Sequence, residues 1–170
     1  ILLAHEDEVK VLSSDLRRAH ETAAVLASLL GVGVAFDKRL REIDVGRWQG
    51  LSRKEIVAAG MGQELDQWLN ETEDVAAGGG ERRSDIGQRG AAAVREHAAQ
   101  MSDGAVLVVV SHGAILRAAT LALLGMTIPG NRWLGALRNC HWAELSPSEP
   151  TWRMLTYNVG SEPGAVPSAW

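Results

Sequence analysis

Three short stretches of this chain combine residue types that can handle a negatively charged group. In VLVVVSHGAIL, His112 directly follows an apolar run and precedes an Ala- and Leu-rich one. A strand passing into a helix fits that pattern, and in open α/β sheets ligands bind outside the carboxyl ends of the strands. Gly113 would then permit close backbone approach, and the helix behind it would present N–H groups to an anion. A histidine at a strand end also serves as a purely structural hydrogen-bonding residue, so both roles stay open. In SSDLRRAHETA, Arg17 and Arg18 fall in the first turn of a predicted helix. Cations there oppose the positive end of the helix dipole, a small cost that an anionic ligand or a nearby carboxylate relieves. Arginine also matches phosphate in a bidentate manner, although two solvated surface arginines would look the same in sequence. In RLREIDVGRWQG, Glu42 has Asp44 close by. A carboxyl group held partly out of water beside a second negative charge can donate a proton near neutral pH, and an ordinary solvated acidic loop is the alternative.

The elements that must position these residues follow from the alternation of short β-branched runs with longer amphipathic ones, the pattern of an α/β layered domain. A strand is predicted over Val9 to Ser13, with Ser13, Ser14 and Asp15 available to cap a helix from Leu16 to Leu30 that Gly31 and Gly33 end. A second strand over Val32 to Phe36 leads into the Glu42 segment, read as a loop at a sheet edge, and helices follow at Arg53 to Ala59 and Gln63 to Trp68. AAGGGERRSD, Ala76 to Asp85, reads as the most flexible segment. Its three glycines would serve as a mobile connector or cradle an anion, and Arg82 and Arg83 beside them read as a solvated face. A helix from Ser84 to Met101, a buried strand from Ala105 to Ser111 and an apolar helix from Ala114 to Leu124, stopped by Gly125, come next. His141 to Leu145 and Thr151 to Tyr157 alternate as antiparallel strands, and residues 161–170 read as a mobile tail. Trp48, Trp142 and Trp152 suit core or edge packing, with a cleft lining as the alternative, and Trp133 could cap the mouth of a site.

Composition narrows the function classes. The chain has 170 residues, 46% of them hydrophobic and 22% charged, which excludes a disordered chain and allows one domain with a substantial core. Seventeen Lys and Arg against 21 Asp and Glu leave a formal charge of −4, so neither nucleic acid nor an anionic membrane surface is an expected partner and any anion site must be local. The longest strongly apolar run, Ala105 to Val110, is far short of the roughly 20 residues that span a bilayer. A single cysteine, Cys140, favours a reducing compartment, and ILLAHEDEVK carries no signal-peptide pattern, so a cytoplasmic location is expected. No Cys/His cluster or paired carboxylates stand at metal-ligand spacing, and Ser111 lies outside a Gly-x-Ser-x-Gly elbow. Neither a metal nor another cofactor is expected.

The order SSDLRRAHETA, RLREIDVGRWQG, GGGE, VVVSHG resembles the histidine phosphatase superfamily, also called the phosphoglycerate mutase-like proteins, over about Val9 to Asn158. The resemblance implies a three-layer αβα sandwich with a mostly parallel sheet, residues 1–160 forming the domain. It implies a phosphomonoester hydrolase acting through a phosphohistidine on a small phosphorylated sugar or glycerate. Arg18 and His112 would hold the transferred phosphoryl group together with Gly113, and Glu42 would be the proton donor. The compact stretch between the glutamate motif and GGGE is more similar to the small phosphatases of the family than to its mutases, and phosphoglycerate mutase is kept as an alternative. Family members begin with a strand and an Arg-His-Gly motif bearing the nucleophile, then a loop and a helix. Only seven residues separate His5 from Ser13, so Ile1 to Glu6 is read as the end of that helix, His5 as a surface residue, and the chain as lacking the first β-α unit. An inactive phosphate-binding or interaction module is therefore a further alternative, and exposed apolar residues on the late strands would permit a homodimer.

Overall fold

The computed structural model describes residues 8–70, 73–126, 134–148 and 150–160; Ile1 to Glu6, Trp133 and the 161–170 tail lie outside these. Strand β1 (Val9–Ser13) pairs in parallel with β2 (Val34–Phe36) on one edge and β3 (Val106–Val110) on the other, giving the order β2-β1-β3. Alternate residues of β1 face opposite layers, as the two-residue period of a strand requires. Val11 packs with Ala23 and Ala27 of helix α1 (Arg17–Leu30), along with Val108 and Val110. Leu12 packs with Leu40 and with Ala93 of helix α4 (Arg83–Ala98), along with Leu107 and Val109. Both faces of β3 therefore meet apolar partners, which accounts for a strand with no polar residue.

The short helices α2 (Arg53–Ala58) and α3 (Gly62–Asn70) lie between β2 and α4, and α5 (Gly113–Leu123) packs on α4. The α4–α5 approach is close because Gly87 and Gly90 face α5. A Cβ at Gly87 would stand 2.9 Å from the Ala118 carbonyl oxygen, and one at Gly90 would stand 3.0 Å from the Ala119 Cβ. Strands β4 (Trp142–Pro147) and β5 (Trp152–Val159) form a separate antiparallel pair. Among the described residues, no strand pairs with the second edge of β3 or joins the two sheets.

The predicted elements match the observed ones to within a few residues, but three local expectations are corrected. The three glycines are neither a mobile connector nor an anion cradle. They pack into the 44–48 turn, where a Cβ at Gly80 would collide with the Asp44 carbonyl oxygen and one at Gly78 with the Val45 carbonyl oxygen, and Gly78 needs a positive φ of 55°. Arg83 is not on a solvated face. It is buried, its guanidinium 3.9 Å from the Trp68 ring centroid, and it donates to the Trp68 carbonyl. No side chain caps α1; Ser13 bonds to a neighbouring carbonyl, and Asp15 pairs with Arg41 instead. The loop that carries Glu42 lies at the sheet edge as expected: the Ser111 hydroxyl donates to the Leu40 carbonyl at 2.6 Å, tying it to the end of β3. Of the three tryptophans expected to pack, Trp48 is buried edge to face on Trp68 with Ile56 and Leu65, whereas Trp142 is exposed.

Candidate active site

Because β1 and β3 are parallel and Ser13 is paired with Val110, the residues just after them emerge side by side at the carboxyl edge of the sheet. Ser14 follows β1, His112 follows β3, and the Ser14 N–H donates to the Val110 carbonyl at 3.0 Å. The His112 ring is buried between the two chain ends. Its Nε2 is 2.9 Å from the Ser14 hydroxyl, and its Nδ1 accepts from Arg18 Nε at 3.1 Å. A guanidinium can only donate, so Nδ1 carries the lone pair and the ring proton sits on Nε2, pointing at Ser14. The Ser14 oxygen also accepts from the Leu16 N–H. Sequence reasoning missed this serine, reading it as a helix cap. Its position immediately after a buried strand, beside the candidate arginines, is the signal that could have found it.

Of the two arginines, only Arg18 reaches the site. Arg17 is splayed into solvent and pairs with Glu21 one turn on. Arg18 belongs to a first helical turn with no acidic residue; its Nε donates to the imidazole, and its charge remains exposed to solvent at the mouth of the site.

Glu42 arrives from the 37–42 segment. Its carboxylate accepts the N–H groups of Ala114 at 3.3 Å and Ile115 at 3.2 Å, the first turn of α5, and its own neighbour Ile43 at 3.0 Å. The expectation that this helix end presents free N–H groups to a ligand is thus corrected: two of them hold Glu42. A negative group at a helix N-terminus is favourable on both hydrogen-bonding and dipole grounds, and here it fixes a carboxylate beside His112. Gly113, between them, is exposed, with only the Leu137 carbonyl near the place a Cβ would occupy.

Burial, followed by the charge of Arg18, pushes the His112 imidazole below its ordinary 6.5, against the opposing pull of Glu42. The ring is thus neutral in the folded protein near pH 7, in agreement with the tautomer the hydrogen bonds require. The sign for stability follows from linkage. Above pH 6.5 the ring is neutral whether the chain is folded or not; as pH falls below 6.5 the unfolded chain takes a proton first, and folding is penalised until the folded value is passed. The urea midpoint should therefore drop between pH 7.5 and 5.5, and His112→Asn should flatten that part of the profile. A profile identical in the variant would show that His112 does not titrate in this manner.

The other described histidines are engaged elsewhere. His20 stacks edge-on against Phe36, His97 meets Asp37 at 3.3 Å, and His141 meets the Asn139 carbonyl. Among the described residues, no three His, Cys, Asp or Glu side chains are grouped as a metal site. What converges at this edge of the sheet is Arg18, Glu42, His112, Gly113 and Ser14: a cation, a carboxylate, an imidazole, an exposed glycine backbone and a hydroxyl.

Known proteins share the sequence and fold of this chain. The family model of the histidine phosphatase superfamily (branch 1) matches residues 2–160. Glucosyl-3-phosphoglycerate phosphatase of Mycolicibacterium vanbaalenii is 38% identical over 178 residues, covering 95% of this chain and 78% of that protein. The native structure of the mycobacterial glucosyl-3-phosphoglycerate phosphatase superposes with a TM-score of 0.81 at 33% identity, covering 94% of this chain and 82% of that one. The mycobacterial enzyme in complex with inorganic phosphate superposes with a TM-score of 0.81 at 34% identity, over 91% of this chain and 78% of that one.

Proposed function

The chain belongs to the histidine phosphatase superfamily, and on that premise we propose that it hydrolyses a phosphomonoester of a small phosphorylated sugar or glycerate. The observation that carries this is the buried His112 with Arg18 Nε on one ring nitrogen and Glu42 held beside it on the first turn of α5. The relatives' name, glucosyl-3-phosphoglycerate phosphatase, supports a sugar ester of phosphoglycerate as the first compound to test.

Arg18 and His112 would bind the oxygens of the phosphoryl group, with the exposed backbone at Gly113 allowing close approach. The nucleophile would be the histidine of the Arg-His-Gly motif with which family members begin, not one of the five histidines of residues 1–170. Its nitrogen attacks phosphorus, the P–O ester bond breaks, and Glu42 gives its proton to the departing alkoxide. The Glu42 carboxylate then takes a proton from water, whose oxygen displaces the histidine from phosphorus, releasing phosphate and restoring both groups. Splitting one displacement into two in this way is ordinary nucleophilic catalysis.

Among the described residues, no helix is long and apolar enough to cross a membrane. The single cysteine, Cys140, supports a reducing, cytoplasmic setting, and the exposed Trp142 and Leu155 on β4 and β5 support a homodimer through that face.

The decisive experiment uses protein expressed from its complete reading frame. It should hydrolyse p-nitrophenyl phosphate and members of a panel of phosphorylated sugars and glycerates, and an alkaline quench during turnover should trap phosphate on a histidine. Folded protein that binds phosphate without any turnover would replace this function with that of a phosphate-binding module.

A further inference from the structure

Arg89 on α4 is a residue that neither its local sequence nor the predicted chemistry singles out, yet it is the best-satisfied side chain near the site. A guanidinium has five N–H donors in a rigid planar fork, and all five are used. Nε donates to Glu81 Oε1 at 2.8 Å and Nη2 to Glu81 Oε2 at 2.9 Å. Nη1 donates to the carbonyls of Arg39 at 2.6 Å and Arg41 at 2.7 Å, and the remaining Nη2 bond goes to the carbonyl of Glu42 at 3.3 Å. Three of the five bonds therefore hold the backbone that ends in the candidate proton donor.

Glu81 makes the clamp double-sided. Its Oε2 also accepts the Asp44 N–H at 2.9 Å, and its own N–H donates to the Asp44 carbonyl at 2.8 Å. The paired Arg89 guanidinium, joined by that backbone N–H, holds the Glu81 carboxyl below the usual carboxylate range against the cost of burial. The segment carrying Glu42 is thus gripped before and at residue 42 by Arg89 and after it by Glu81, while the carboxylate itself is gripped by α5. Arg89 precedes Ala93 by one turn, and Ala93 packs on Leu40, so the fork stands directly over the carbonyls it binds. Glycines facing Ala118 and Ala119 dock the same helix on α5, so a single element sets the distance between the Glu42 backbone and the helix end that orients its carboxylate.

We infer that Arg89, braced by Glu81, is a positioning residue for proton transfer by Glu42. The inference rests on the phosphatase function proposed above, and its signature is selectivity for the leaving group. An alkoxide cannot depart without a proton, whereas p-nitrophenolate leaves readily unprotonated, and kcat/KM reports the steps up to leaving-group departure. Misplacement of a reacting group by about 1 Å costs on the order of 10²-fold. Arg89→Met should therefore lower kcat/KM for an alkyl phosphomonoester by about 10- to 100-fold, while p-nitrophenyl phosphate should lose far less. Arg89→Lys keeps the charge but has three donors and no fork, so it should restore part of the alkyl activity and provides the test if Arg89→Met does not fold. Glu81→Gln should show the same selectivity to a smaller degree. In a Glu42→Gln background, Arg89→Lys should produce no further change in the alkyl-to-aryl ratio.

An equal fall on both substrates in Arg89→Lys, or a further change in the ratio with Glu42 already replaced, would reduce Arg89 to a structural brace and overturn the inference while leaving the phosphatase function standing. Failure of the unmodified protein to hydrolyse either ester would overturn both together.

Discussion

Arg18→Ala is expected to lower kcat/KM for phosphomonoester hydrolysis by about 10²–10³-fold, the usual loss when one preorganised donor to a developing anion is removed. Two effects of the substitution act in the same direction. The guanidinium that would meet the phosphoryl oxygens disappears, and His112 loses the donor on Nδ1 that fixes its tautomer and ring orientation. Arg18 also pushes the His112 imidazole down, so its removal should raise the pH at which that ring becomes protonated. Arg18→Lys retains a charge but not the planar fork, and should recover only part of the loss. Affinity for inorganic phosphate, measured by calorimetry, should fall together with turnover. Unchanged phosphate affinity and unchanged kcat/KM in a folded variant would remove Arg18 from the site.

Glu42→Gln should produce the second large effect, and a selective one. General acid catalysis contributes roughly 10²–10⁴-fold, so kcat/KM for an alkyl phosphomonoester should fall by about that much, with a far smaller fall for p-nitrophenyl phosphate. The amide keeps the size of the carboxylate and one oxygen able to accept from the first turn of α5, so the fold should tolerate it. Steady-state measurements on the two substrates with the same preparation decide the matter. Equal losses would assign Glu42 a structural role at the helix end, in place of proton transfer. Arg18→Ala, by contrast, should affect both substrates alike, because the phosphoryl group is common to them.

Much of the fold could be read in advance because the local signals are strong. The five apolar residues of β3, the Ala19, Ala23 and Ala27 stripe of α1 and the left-handed Gly31 at its end each follow from nearest-neighbour chemistry. The errors fall where a residue's partner is distant in sequence. Three adjacent glycines look like slack in the chain, and only the Val45 and Asp44 carbonyls packed against Gly78 and Gly80 show that at those two positions nothing larger fits. Arg83 looks like a surface charge until Trp68 is placed beneath it. Arg89 left a weaker trace, an arginine on the helix face shared with Ile86 and Ala93, both fully buried, which is where an unpartnered charge would be costly.

The sequence by itself determined the α/β class, the order of the elements and the chemical types available for a phosphate site: one arginine pair, one glutamate segment and one histidine at a strand end. Tertiary structure decided which of them meet. It chose Arg18 over Arg17, made Ser14 the partner of His112, and placed the Glu42 carboxylate on the N–H groups of Ala114 and Ile115 under a clamp from Arg89. Helix periodicity, strand alternation and glycine turns depend on neighbours a few residues apart and are written locally. The bonds of the site join residues 72 to 98 positions apart in the chain, and such contacts exist only once parallel strands and the helices on both faces bring those segments to one edge of the sheet.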